Sequence, residues 1–313
     1  MDMKTSTTPS LGDIGLLSTS FLRACRAENL SPNTIDVYGG ACEQFATFLT
    51  EHGMPTDVAS IKREHVESFI EHLLATRAPA TANNRYRVLK RLFGFLVDEG
   101  EVTLNPMARM HPPKVPESSR HVLSDDQLRA LLKACAGKAF EDKRDTAFFR
   151  CLIDTGARRA ELLGLRWSED PEDSDVDLDA GVLYVIGKGR RPRSLPIGAK
   201  AVRALDTYIR VRRRHTYAAS PKLWIGRRGP LGLTAPRDIL NRRAREAGLG
   251  LHVHPHVFRD TFAHRWLSDG GTEGDLMRIG GWKSREMLDR YGASAAVERA
   301  HDAHRKLCPG DRI

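Results

Sequence analysis

The sequence predicts a mainly α-helical chain of two domains, with a small β-hairpin or sheet carried in the second. Three observations lead there. Apolar residues recur at helical spacing through most of the chain, prolines crowd positions 105–120, and two short β-branched runs flank one Gly-rich basic turn. A chain of 313 residues suits two domains at the usual ~100–200 residues each.

The first region reads as helices after a disordered lead, taken as residues 1–15. Ser31 suits an N-cap, with Pro32 at the first helical position. Behind them Ile35, Tyr38, Cys42, Phe45 and Leu49 return once per turn. A second helix is expected from about Lys62 to Leu74 and a third from about Thr81 to Asp98. The third carries Val88, Leu89, Leu92, Phe93 and Leu96 on one side and Arg87, Lys90 and Arg91 on the other. Pro106, Pro112, Pro113 and Pro116 then deny the chain a helix and stiffen it, so 105–120 is read as an interdomain linker between a domain at 16–104 and one at 121–313.

The second domain opens on a helix capped by Ser124 or Asp125. A later helix ends near Asp154, Gly156 breaks the chain, and another runs to Leu165. Val182–Ile186 and Ser194–Ile197 read as strands around the turn 187–192, and the chain from about Lys200 onward reads as helical with Gly and Pro punctuation. In the acidic stretch 169–179, Asp173, Asp175 and Asp177 match the start of a calcium loop. Its sixth position is Leu178 rather than Gly and its twelfth Tyr184 rather than Glu, so the stretch is read as a solvated acidic turn.

Composition narrows the function. A hydrophobic share of 41% and a charged share of 28% are those of a soluble globular protein. No apolar run approaches the ~20 residues that span a bilayer, and no signal peptide is read at the start. The formal charge of +9 favours a polyanionic partner, since each cation that neutralises a phosphate releases a counterion. Five scattered cysteines without a C-x-x-C pair suit reduced, mostly buried thiols.

Four separated segments hold what phosphoryl transfer on DNA requires. Cations must hold the charge on the phosphorus oxygens, an acid must protonate the leaving oxygen, and something must attack. Arg158 stands at a helix start with Glu161 one turn along, where a carboxylate can fix a guanidinium. Lys188 sits at the hairpin tip between glycines. His256 and Arg259 follow Pro255 one turn apart. Trp282 lies in Gly280-Gly281-Trp282, nine residues ahead of Tyr291. Taken singly, each is an ordinary surface or packing residue.

Taken in order, Arg158-x-x-Glu161, Lys188, His256-x-x-Arg259, Trp282 and Tyr291 resemble the signature of the tyrosine recombinases, the phage-integrase family. Local context agrees: Thr-Gly-x-Arg, then Glu-Leu-Leu-Gly-Leu-Arg-Trp, Ile-Gly-Lys-Gly, Pro-His-x-x-Arg, and Gly-Gly-Trp ahead of Tyr. The resemblance covers about Ser20 to Tyr291. It implies an N-terminal helical core-binding, SAM-like domain and an α+β catalytic domain that ends in a C-terminal exchange helix. It further implies that Arg158 and Arg259 grip the non-bridging oxygens of the scissile phosphate, where a planar fork suits better than an ammonium. His256 would hydrogen-bond the phosphate, with the tyrosine's proton as a further candidate duty. Lys188 would protonate the departing 5′ oxygen, Tyr291 would form a 3′-phosphotyrosine, and Glu161 would support the arginine or the histidine.

The phosphotyrosine conserves the energy of the broken ester and the cations are side chains, so no ATP, metal or other cofactor is expected. His252-x-His254-x-His256 has alternating imidazoles of the kind that bind zinc. The third is already assigned to phosphate, and no Cys- or Asp-rich partner segment accompanies them. The implied partner is double-stranded DNA, held by both domains as a clamp. Arg85, Arg87, Lys90 and Arg91 are the candidate contacts in the first domain, and Arg237, Arg242, Arg243 and Arg245 those in the second. The segment from Ala293 to Leu307 reads as the helix that would dock on a neighbouring protomer, in cis or in trans. That would give a homotetramer in the synaptic complex from a monomer or weak oligomer, with room for accessory directionality proteins.

The expected location is the cytoplasm, on the nucleoid when active. The biological reading is integrase of a phage or mobile element, with an Xer-like resolvase of chromosome or plasmid dimers as the alternative. A type IB topoisomerase and a DNA-binding regulator that does not cut are the rival readings; the chain leaves no room for an arm-binding domain of ~60 residues.

One position departs from the commonest family pattern, since Trp282 stands where most members carry His. An indole N–H can donate one hydrogen bond to phosphate but cannot carry a proton. Trp282→Phe should therefore lose much more cleavage activity than Trp282→His; equal activity of the two in a cleavage assay would contradict the donor role.

Overall fold

In a computed structural model the described residues are 11–116, 121–187, 191–250 and 254–282, with positions 284–286, 288, 300, 301, 304, 305, 308 and 310 beyond them. The chain divides into two compact units, Met1–Ser118 and Ser119–Ile313.

The first unit is four helices: α1 (Ile14–Ala27), α2 (Pro32–Glu51), α3 (Arg63–Thr76) and α4 (Pro79–Asp98). Their starts are written in cap residues. The Asp13 carboxylate accepts from Gly15 N–H at 2.8 Å, and Ser31 Oγ accepts from Thr34 N–H at 3.2 Å with Pro32 in the first turn. The start of α1 is also tied down, Ile14 N–H donating to Thr56 O and Val58 N–H to Gly12 O, within the segment expected as a lead. Phe21, Phe45, Phe69 and Phe93 are fully buried where the helices cross, with the rings of Phe45 and Phe69 5.1 Å apart. The apolar side of α4 faces this core, while Arg87 and Lys90 are exposed.

The Pro-rich segment is laid partly on this unit. Met107 and Met110 are buried in its core, Tyr86 Oη donates to Met110 O at 2.5 Å, and Asn83 Nδ2 donates to Pro113 O at 2.8 Å. Positions 117–120 lie outside the described residues.

The second unit is α5 (Asp125–Ala134), α6 (Phe140–Thr155), α7 (Arg159–Gly164), strands β1 (Val176–Asp177), β2 (Val182–Ile186) and β3 (Pro192–Pro196), α8 (Ala199–Arg212), strands β4 (Ile225–Gly226) and β5 (Gly229–Pro230), then α9 (Ala235–Glu246), α10 (Pro255–Ser268) and α11 (Glu273–Gly280). Ser124 caps α5 in a reciprocal pair with Gln127. The sheet β1-β2-β3 is antiparallel, with Tyr184 opposite Ser194. Phe148, Phe149, Tyr208, Trp224 and Phe258 are buried at its helical core.

Three details depart from the sequence reading. The acidic turn contains β1, too short to show a period, and its carboxylates act as local acceptors: Asp175 from Arg166 N–H at 2.7 Å and Asp177 from Ala180 N–H at 2.8 Å. β3 starts two residues early, at Pro192, which an edge strand tolerates because the missing N–H faces away from the ladder. The region after α8 is not wholly helical, since β4 and β5 form a hairpin across Arg227-Arg228, with Gly229 at φ +111°.

The second unit buries charge as well as apolar surface. Asp145 is wholly buried and accepts from three arginines: Arg144 Nε and Nη2 at 2.9 and 2.7 Å, Arg242 Nη2 at 2.8 Å and Arg243 Nε at 2.8 Å. Arg243 also donates to Asp142, Glu246 and Ala134 O, and its carboxylate partners push its pKa above the ordinary arginine value despite the opposing cost of burial. Arg212, equally buried, instead donates to the carbonyls of Leu223, Ala218, Ser220 and Lys222, which wraps the chain after α8 around one guanidinium.

Cys25, Cys42, Cys135 and Cys151 are buried free thiols. Burial pushes Cys42 up to about 11 and Cys135 up to about 12, so both are poor nucleophiles. No helix among the described residues is long and apolar enough to cross a membrane.

Removing the charge that three guanidinium groups share should cost far more than removing a peripheral one. Asp145→Asn is expected to destabilise the protein by about 3 kcal/mol or more, read by urea unfolding. Asp142→Asn, at the partly exposed end of the network, should cost much less, and equal losses would contradict this account.

Candidate active site

The site begins where α6 stops. Gly156 takes the left-handed conformation at φ +55°, and a Cβ there would stand 2.7 Å from the Phe262 ring, so both backbone and space call for glycine. Thr155 Oγ1 accepts from Ala157 N–H at 3.1 Å and holds the turn. The chain then delivers Arg158 as the N-cap of α7.

Glu161 lies one turn into α7 and is buried, its side chain only 4% exposed. Its carboxylate accepts from Arg158 N–H at 2.7 Å and from Arg158 Nη1 at 2.8 Å. It also accepts from a residue the sequence reading did not single out: Arg193 on β3, whose Nη1 and Nη2 reach the two oxygens at 2.9 and 2.7 Å. In sequence, Arg193 is one of four cations between Gly187 and Ser194, and nothing there distinguishes it. Only the pairing of β2 with β3 turns it toward α7.

The second half comes from α10 and α11. His254 is the exposed N-cap of α10 and Pro255 occupies its first position. Arg259 is 1% exposed, donating from Nη1 to Gly156 O at 3.0 Å and from Nη2 to Gly280 O at 2.6 Å. α11 is capped by Gly281, with φ +66°, and the Trp282 ring beyond it lies under the Arg259 guanidinium at 3.8 Å. Arg158 Nη2 points to Gly281 O at 3.4 Å. The two arginines therefore meet at the Gly280-Gly281 turn, which Arg259 also links to Gly156 O. His256 sits in the first turn of α10, half-exposed, with Nε2 3.8 Å from Oδ1 of the buried Asp260. That gap is an ion pair when the imidazole is protonated, and it is too long for a hydrogen bond.

The structure thus brings together Arg158, Glu161, Arg259 and Trp282 and adds Arg193, while His256 and Asp260 pair on the helix that carries Arg259. Lys188, Tyr291 and His252, and most of the expected exchange helix, lie outside the described residues. The strands that carry the hairpin tip are described up to Gly187 N–H, which donates to Arg191 O at 2.8 Å. Among the described residues no group of three or more His, Cys, Asp or Glu side chains could hold a metal ion.

The expected DNA contacts separate by burial. Arg87, Lys90, Arg237 and Arg245 are exposed. Arg85 donates to Gln44 Oε1 at 2.9 Å, Arg91 pairs with Glu28, and Arg242 leans on Asp145. Arg243 is buried with its nitrogens bonded inside the unit, which places it in the fold rather than on a surface.

Residues 121–298 match the model of the phage integrase family, and residues 17–100 match that of the phage integrase N-terminal SAM-like domain. The tyrosine recombinase XerC of Oceanobacillus iheyensis is 30% identical over 288 residues, covering 90% of this chain and 92% of that protein. The XerC of Chromohalobacter salexigens is 31% identical over 293 residues, covering 90% and 94%.

Among solved structures, the Tn1549 transposon integrase in complex with circular intermediate DNA aligns with a TM-score of 0.70. It is 18% identical over 93% of this chain and 98% of that one. The XerH site-specific recombinase bound to its difH substrate aligns with a TM-score of 0.68, at 18% identity over 88% and 81%. Both likenesses concern the fold. With a family model matching more than half its length and end-to-end relatives at this identity, the chain belongs to the phage integrase family, the tyrosine recombinases.

Proposed function

We infer that this recombinase cuts and rejoins double-stranded DNA at a specific site through a 3′-phosphotyrosyl intermediate on Tyr291. The observation that carries the reading is that Arg158 and Arg259 meet at the Gly280-Gly281 turn, with His256 one turn from Arg259 on α10 and Trp282 next after that turn. Two guanidinium groups held beside one another suit a phosphate whose equatorial oxygens gain charge as it is attacked. Their positions are set by backbone carbonyls and a buried carboxylate, so little reorganisation is left for the reaction itself.

In this reading the Tyr291 oxygen attacks phosphorus, the bond to the 5′ oxygen breaks, and Lys188 supplies the proton to that oxygen. His256 hydrogen-bonds the phosphate and takes the phenol's proton, while Trp282 donates its indole N–H. Rejoining reverses the step: a 5′ hydroxyl attacks the phosphotyrosine, so no ATP is consumed. Arg87, Lys90, Arg237 and Arg245 are the exposed cations assigned to the duplex backbone. The DNA complexes among the neighbours support a duplex partner, and a λ integrase tetramer solved on a Holliday junction supports assembly as a tetramer on DNA.

The role assigned is integration of a phage or mobile element. A second reading, Xer-like resolution of dimers, is favoured by the end-to-end match to proteins named XerC. Sequencing the DNA trapped covalently from sheared genomic fragments separates the two. The ends of a mobile element support integration, and one chromosomal or plasmid site supports resolution.

The chemistry itself is tested on a nicked duplex carrying the recovered site, in EDTA and without ATP. The wild-type chain should accumulate a covalent complex. Tyr291→Phe should bind the duplex with unchanged affinity and form none; a covalent complex with Tyr291→Phe would refute the assignment.

A further inference from the structure

Glu161, expected to support the arginine or the histidine, receives the side chains of two arginines. Arg193 is the better placed of them, because its fork meets both carboxylate oxygens, at 2.9 and 2.7 Å, whereas the Arg158 side chain meets one, at 2.8 Å. Arg193 is also the more enclosed, its side chain 13% exposed against 32% for Arg158.

Two glycines border the same guanidinium. A Cβ at Gly187 would lie 3.4 Å from Arg193 Nη1 and 3.7 Å from Glu161 Oε1, and a Cβ at Gly281 would run into Arg193 itself. Gly187 immediately precedes Lys188, and Gly281 immediately precedes Trp282. One side chain therefore touches the base of the hairpin tip, the carboxylate behind Arg158 and the turn that carries the indole.

We propose that Arg193 is a positioning residue for DNA cleavage, holding Glu161 so that Arg158 stays turned toward the scissile phosphate and seating the hairpin base against the Gly280-Gly281 turn. The physical reason is competition for one carboxylate. With Arg193 forked across both oxygens, Arg158 is restricted to a single side-chain bond and its second amino group reaches outward to Gly281 O. Without Arg193, both oxygens of a buried anion fall to Arg158, which closes on it as a fork of its own and withdraws from the phosphate. The proposal rests on the reading of Arg158 as a phosphate ligand.

Single-turnover cleavage of the nicked duplex at saturating protein separates positioning from binding. Arg193→Met should lower the cleavage rate constant on the order of 10- to 100-fold, as small misplacements of catalytic groups do, while the DNA Kd changes by less than about threefold. Arg193→Lys keeps the charge but not the fork and should recover part of the rate. In Glu161→Gln/Arg193→Met the two losses should be far from additive, because both act through one carboxylate. A wild-type rate in Arg193→Met, or a loss confined to binding and thermal stability, would overturn the proposal.

A second readout needs no DNA. The Arg158 side-chain resonance, assigned by its disappearance in Arg158→Lys, should shift or broaden in Arg193→Met and stay fixed in Arg210→Met. An unmoved resonance in Arg193→Met rejects the positioning role. If the wild-type chain forms no covalent complex, the recombinase reading fails and the cleavage role with it, while this resonance still decides whether Arg193 positions Arg158.

Discussion

A single buried carboxylate organises the catalytic half of this molecule. Glu161 caps its own helix, holds Arg158 and receives the fork of Arg193 from a strand thirty-two residues further on. An anion buried this deeply is stable only with cations and hydrogen bonds supplied to it. Satisfying it draws a helix, a hairpin strand and the loop before Trp282 to one place. The electrostatic demand of the protein and the geometric demand of the chemistry are met by the same contacts.

Main-chain carbonyls do the rest of the positioning. Arg259 donates to Gly156 O and Gly280 O and stacks on Trp282, so its position follows that of two turns. Those turns exist because glycine accepts a left-handed backbone at 156 and 281. The same device appears away from the site at Arg212, while the Asp145 network shows the alternative, three arginines neutralised around a carboxylate for stability. Arginine thus serves three purposes in one unit, told apart by the partner of each.

Much of this was legible in the sequence, for reasons that can be named. Ser31-Pro32 and Ser124 through Gln127 are local signals, and the caps form where those residues stand. Arg158-x-x-Glu161 and His256-x-x-Arg259 are spaced for one helical turn, and each pair lies on one helix. What was not legible depends on pairing at a distance. Arg193 is indistinguishable from Arg190 or Arg191 until β3 lies beside β2. Arg243 reads as a surface cation until Asp145, ninety-eight residues away, is found beneath it. β1, β4 and β5 have two residues each, too few to carry an alternation. The burial of Arg259 at 1% exposure was hidden for a related reason: the carbonyls that satisfy it belong to turns, which leave no side-chain signature.

The central claim is that these contacts serve a covalent step on one tyrosine. Proteolysis of the protein–DNA complex trapped by the wild-type chain, followed by nuclease trimming and mass spectrometry, tests it most directly. The account predicts a nucleotide joined through a 3′ phosphate to the peptide that contains Tyr291. An adduct on any of the other tyrosines, or on a serine or histidine, would contradict it.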